Sequence, residues 1–158
     1  MGELCEKGEM GKGRNGEDAL SILRGRVIGC AVRVHKALGP GFLESIYHRA
    51  LEIELAENGI PFESEKEIKV TYRGRFVGDH HLDLFVDDCL VVELKTIEKV
   101  RREHYAQARS YLKAVGQEVG LLFNFGVIPL DVRRVASENA LPPFSSSPFL
   151  PPYTGAHS

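Results

Sequence analysis

The stretch "CLVVELKT", Cys89 to Thr96, sets an acid and an amine, Glu93 and Lys95, into the end of an apolar run of strand length. Successive side chains in a β-strand alternate between faces, so Glu93 and Lys95 share one face while Leu94 points to the other. Leu90, Val91, Val92 and Leu94 read as the packing of a central strand. Burial accounts for those residues and not for the charged pair, because each charge taken from water must be desolvated.

Upstream, from Pro61, "FESEKEIKVTYRG" and "RFVGDHHLDLFVDD" alternate apolar with polar residues around the turn signal Arg73-Gly74-Arg75. Asp87-Asp88 then leads into the opening stretch, which makes three consecutive antiparallel strands. Further upstream, Leu20, Leu23, Val27, Cys30, Ala31, Val34 and Leu38 recur at helical spacing until Gly39-Pro40-Gly41 stops them. A second amphipathic helix starts near Phe42 or Leu43, carries Leu43, Ile46, Tyr47, Ala50 and Leu51, and ends at Gly59; Glu54 interrupts its stripe. Downstream, Val100 to Val115 reads as a third helix, "EVGLLFNFG" as a buried strand and "DVRRV" as a short edge strand. The order helix, helix, three antiparallel strands, helix, strand predicts an α/β or α+β chain with a mixed central sheet flanked by helices.

Residues 1–16 are rich in Gly, Lys and Glu without periodicity and read as a flexible leader; "GEMGKG" lacks the Ser or Thr that a phosphate loop needs after Gly-Lys. Residues 137–158 form a Pro- and Ser-rich tail expected to be disordered, which leaves 17–136 as one folded domain. A length of 158 residues suits a single domain, and a net charge of -2 excludes a global basic field, so a polyanion must be met by a local patch or by metal ions. The odd cysteine count of 3, with no close pair or metal-site spacing, fits a reducing compartment. With no signal-like or bilayer-spanning apolar run, the expectation is a cytoplasmic protein without a membrane partner.

On the strand before Glu93, His81 and Asp83 share a face by alternation, and the Asp87-Asp88 turn can bring Asp83 beside Glu93. Two carboxylates converging beside a lysine repel each other, an objection that a divalent cation removes. Mg²⁺ takes oxygen ligands and usually only one or two protein carboxylates. Lys95 is then placed to orient or deprotonate a water, or to neutralise charge on a pentavalent phosphate.

Asp83, nine residues, then Glu93-Leu94-Lys95 resembles the D…ExK core of the PD-(D/E)xK nuclease superfamily. The element order from Leu43 to Phe125 is similar to that superfamily's restriction-endonuclease-like core. Gly41, Glu44 and Tyr47 in "GPGFLESIYHRAL" resemble the pattern that names its GxxExxY family. The resemblance implies a metal-dependent nuclease with Glu44, Asp83, Glu93 and Lys95 as catalytic residues. It implies Mg²⁺ or Mn²⁺ held by Asp83, Glu93 and the Leu94 backbone carbonyl, with Glu44 completing the site directly or through water. Gln107 and Tyr111 resemble the Q-x-x-x-Y element of RecB-type nucleases, which contacts substrate, and Tyr47, on the same helix face as Glu44, is expected to contact substrate with them. Leu82 stands where the motif has proline, and the cysteines of iron-sulfur members are absent, so no cluster is expected.

The implied partner is nucleic acid, DNA before RNA, with a homodimer as one way for so small a chain to cut two strands. Each feature also has a plainer reading. Glu93 and Lys95 alone would be a cross-strand ion pair, and Tyr47 an ordinary core aromatic. Gln107 and Tyr111 could belong to a polar helix face. Arg101 and Arg102, in the densest basic segment, suit either a phosphate backbone or a solvated helix. Of the two histidines ahead of Asp83, at most one can enter a site with it, and Cys89 carries no assigned chemistry. The alternative function is a non-catalytic nucleic-acid-binding or accessory module on the same fold.

Overall fold

The computed structural model describes residues 14–138; the expected leader and tail lie largely outside them. The elements follow in the order α1 (Arg14–Leu38), α2 (Glu44–Glu57), β1 (Phe62–Tyr72), β2 (Arg75–Val86), β3 (Leu90–Lys95), α3 (Arg102–Val115), β4 (Val119–Asn124) and β5 (Asp131–Ala136). Helix α1 begins at Arg14, so residues 14–16, expected in the leader, belong to it. The strands form one sheet in the order β1-β2-β3-β4-β5, antiparallel except for the parallel pair β3 and β4 that α3 connects. The fold is the expected mixed α/β, restriction-endonuclease-like arrangement.

The two hairpins turn where sequence chemistry permits positive φ. Arg73 and Gly74 (φ 51° and 76°) join β1 to β2, and Asp87 and Asp88 (φ 51° and 54°) join β2 to β3. Two-residue loops with both φ values positive match the right-handed twist of the flanking strands, and aspartate tolerates that region better than most side chains.

The sheet is buried on both faces. On one, α1 and α2 pack Leu23, Val27, Leu51 and Leu55 against Leu84, Val92, Leu94 and Phe123. On the other, α3 packs Ala108 and Leu112 against Phe85, Val91, Leu122 and Val135. Arg33 of α1 and Glu54 of α2 pair at 3.1 Å, which explains the break in α2's apolar stripe: Glu54 serves the helix-helix seam.

Strict alternation fails at one place, and the failure builds the site. Leu84 packs toward α1 and α2 and Phe85 toward α3, yet Leu82 also packs toward α3. Strand β2 therefore turns over around Asp83. Its neighbour turns with it: Phe62 packs toward α1 and α2, Ile68 toward α3, and Glu65 between them has φ 50°. The register runs Ser64↔Leu84 then Lys66↔Leu82, leaving Glu65 opposite Asp83 at the point of reversal. A left-handed non-glycine residue costs roughly 1–2 kcal/mol. The expectation that His81 and Asp83 share one face of a regular strand is corrected accordingly.

Of the described cysteines, Cys30 is a free buried thiol and Cys89 is disulfide-bonded, so the expectation of unpaired cysteines holds at Cys30 and fails at Cys89. Among the described residues no helix is long and apolar enough to cross a membrane.

Candidate active site

The β2–β3 ladder pairs Val86↔Leu90, Phe85↔Val91 and Leu84↔Val92, and then opens. At the next position, side chains replace the backbone ladder. The Asp83 N–H donates to Glu93 Oε1 at 3.1 Å, and the Leu94 N–H donates to Asp83 Oδ2 at 2.8 Å. Each carboxylate thus reaches across to the backbone of the other strand, which sets the two acids side by side. Because these amides are held by carboxylates and not by carbonyls, the strands can splay here without leaving those donors unpaired.

Glu93 is only 5% exposed. Burial, reinforced by the charge of Asp83, pushes its pKa up to about 9, against a smaller downward pull from Lys95. Half-buried Glu44, in the first turn of α2, is also raised, by burial and then by Asp83, while Lys95 and His48 lower it. The electrostatics therefore gather Glu44, Asp83, Glu93 and Lys95 in one field. Buried negative charge of this kind is neutralised either by a proton or by a cation.

A divalent metal fits that donor set in a specific way. Among the described residues no three His, Cys, Asp or Glu side chains converge as a cation cluster. Asp83 and Glu93 are the two carboxylates held next to each other across the strands, with the Leu94 backbone beside them and Glu44 within their electrostatic field. A two-carboxylate oxygen site with open positions is the usual Mg²⁺ arrangement.

Lys95 Nζ donates to Gln107 Oε1 of α3 at 3.0 Å. Gln107, which the resemblance to the Q-x-x-x-Y element singled out, is thereby brought beside Lys95. Tyr111, one turn on, is buried and stacks on His80 with ring centroids 4.5 Å apart. Arg101 and Arg102 are exposed at the head of α3, where the Arg101 N–H donates to His104 Nδ1 at 2.8 Å.

Tyr47 is elsewhere. Its ring is fully buried and stacks on Phe125 at 4.7 Å, its hydroxyl donates to the Gly39 carbonyl, and it accepts from the Phe42 N–H at 3.1 Å. The expectation that Tyr47 binds substrate is corrected to a packing role. The spacing of Gly41, Glu44 and Tyr47 acquires a physical reason from this. Gly41 has φ 114°, open to glycine and strained for other residues; Glu44 opens α2; and Tyr47, one turn later, reaches back to tie the loop that sets where α2 begins. Tyr47 thus fixes the loop from which Glu44 and α2 start. His48, a turn after Glu44, links α2 to β1 through Ser64 Oγ at 2.9 Å.

One contributor was not singled out in the sequence. Asn124 is fully buried at the end of β4, beside Lys95 in the parallel register. Its Oδ1 accepts from the N–H groups of Ile97 and Gly126, both at 3.0 Å, and its Nδ2 donates to the Ile97 carbonyl at 2.9 Å. Gly126 completes this clamp: a Cβ there would lie 2.7 Å from the Ile97 carbonyl oxygen. The chain leaving Lys95 is fixed by these contacts. An amide inside the apolar run "GLLFNFG" was the available signal, since a buried polar group needs partners. His80, one of the two histidines ahead of Asp83, takes its place from the stack on Tyr111.

The architecture and the carboxylates at the opened ladder together define a restriction-endonuclease-like domain. A family model of the PD-(D/E)XK nuclease superfamily matches residues 21–135, and the chain belongs to that superfamily. No curated protein and no solved structure matches the chain.

Proposed function

We propose that this protein is a metal-dependent nuclease of the GxxExxY kind that hydrolyses phosphodiester bonds, DNA before RNA. The observation that carries the reading is the reciprocal contact of Asp83 and Glu93 across the opened strands, with Glu93 driven up to about 9. Keeping two carboxylates and a lysine at a half-buried site has no structural advantage over an apolar ladder, so a cation and a polyanion supply the reason.

Asp83, Glu93 and the Leu94 carbonyl would hold Mg²⁺ or Mn²⁺, which supplies charge neutralisation and an acidified water when bound. Lys95, held by Gln107, points its amine at the reacting phosphate and hydrogen-bonds the attacking water or a phosphate oxygen. Glu44 adds negative charge beside Asp83 and holds further water at the same point. Arg101 and Arg102 offer phosphate contacts; a cation in the first turn of a helix opposes the macrodipole, so Arg102 gains nothing for α3 by standing there.

The test is incubation of the purified chain with single-stranded, duplex and branched DNA and with RNA, plus Mg²⁺ or Mn²⁺. Asp83→Asn and Lys95→Ala are each expected to lower cleavage on the order of 10²–10³-fold. Cleavage that persists in both variants would remove this site from the reaction. Binding without cleavage of any substrate would favour the non-catalytic module instead.

A further inference from the structure

We propose that the groove between α3 and the outer half of the β1–β2 hairpin receives an unpaired nucleic-acid strand, which makes single strands, not duplexes, the substrate class of this site. The inference rests on the nuclease reading above. It begins with the reversal at Glu65 and Asp83, which turns the outer hairpin over so that Ile68 and His80 face α3. The groove so formed has a volume of about 430 Å³. Small ligand sites span roughly 300–1,000 Å³, so the space suits an unstacked nucleoside. It stays open because α3 presents Ser110 and Ala114 there, one turn apart and both exposed.

Its wall also belongs to the candidate active site. Gln107 lines the groove and holds Lys95 Nζ, so a strand lying in the groove is delivered to the carboxylates. Along that wall, the imidazole of His80 lies on the Tyr111 ring and is itself exposed. A base added to this stack extends it to three rings. Base–aromatic stacking is tolerant of sequence and needs the base to be unpaired.

Beyond the groove, the hairpin tip reads "TYRGRFVG" from Thr71 to Gly78, with two arginines, two aromatics and no acid. Tyr72 and Phe76 are each 62% exposed, and the Arg73 guanidinium lies 5.2 Å from the Tyr72 ring centroid. Exposed rings alternating with cations suit a polyanion whose bases carry free faces. An overall charge of -2 gives no broad basic surface on which a duplex could lie.

The experiment is fluorescence anisotropy of the full chain in EDTA, which reads binding without turnover. Probes are a labelled mixed-sequence single strand of about fifteen nucleotides, the same strand as RNA, and its blunt duplex. The single strand should bind at least about tenfold more tightly than the duplex, and His80→Ala and Phe76→Ala should each weaken it about tenfold. Ala114→Trp, at an exposed helix position, should block the groove with an unchanged melting temperature. Equal or tighter duplex binding, or single-strand binding indifferent to His80→Ala and Ala114→Trp, overturns the proposal. So does a concentration-dependent dimer that Phe76→Ala dissolves in a chain that binds no oligonucleotide. Asp83→Asn separates the two readings: single-strand binding retained without cleavage supports both, whereas duplex cleavage unaffected by His80→Ala keeps the nuclease and removes the groove.

Discussion

The two faces of the sheet are unlike. Against α1 and α2 the sheet buries a continuous aliphatic and aromatic layer, tied at its rim by Tyr47 and by the Arg33–Glu54 pair. Against α3 the core is smaller, and beside it lie Lys95, Gln107, the stacked His80 and Tyr111, and an open groove. The difference separates two tasks: one face supplies stability, and that surplus lets the other carry a buried acid, a positive-φ residue and a break in the strand ladder.

The largest effect expected from breaking this division is on the thick face. Leu51→Ala removes a fully buried side chain and should cost about 2–5 kcal/mol, read by urea denaturation, while cleavage per folded molecule stays unchanged. A comparable loss of cleavage would mean that the two faces are not independent.

Next is the seam between the parallel strands and the site. Asn124→Ala strands buried groups at Ile97 and Gly126 and should cost about 1–3 kcal/mol. Because the clamp fixes the chain leaving Lys95, this variant should also lose cleavage, unlike Leu51→Ala. Comparing the two variants at matched folded fraction checks it.

On the thin face the expected effect depends on pH. In the metal-free chain Glu93 titrates at about 9 when folded and near the ordinary carboxylate value of about 4.3 when unfolded. Between those values the folded chain binds the extra proton, so its stability is greatest at the acid end and falls as pH rises toward 9. Glu93→Gln should flatten that decline, leaving the variant more stable than the parent in alkaline, metal-free buffer; thermal melts across the range measure it. The smallest effect belongs to the exposed rim: Arg33→Ala should leave the melting temperature close to that of the parent.

Much of this division was legible in the sequence. Apolar periodicity gave the helices and the buried strands, because patterns of 3.6 and 2 reflect which face meets a core. Asp83, Glu93 and Lys95 stood out because charges in a central strand have no packing explanation. The reversal at Glu65 and Asp83 was not legible: both residues read as regular alternation, and the irregularity exists only when two strands turn together. Tyr47 shows the limit from the other side. An aromatic one turn after Glu44 has the same spacing whether it touches substrate or ties a loop, and only its burial against Phe125 decides. Asn124 was hidden because its long-range partner, Ile97, lies in the segment after β3 and meets it only once the two strands pair.

The central claim is that Asp83 and Glu93 form a cation site, and calorimetric titration of the chain with Mn²⁺ tests it most directly. One saturable site is expected, abolished in Asp83→Asn and in Glu93→Gln and weakened but present in Glu44→Gln, whose carboxylate is taken to act through water. Mn²⁺ binding of the same strength in the parent, Asp83→Asn and Glu93→Gln would contradict the account.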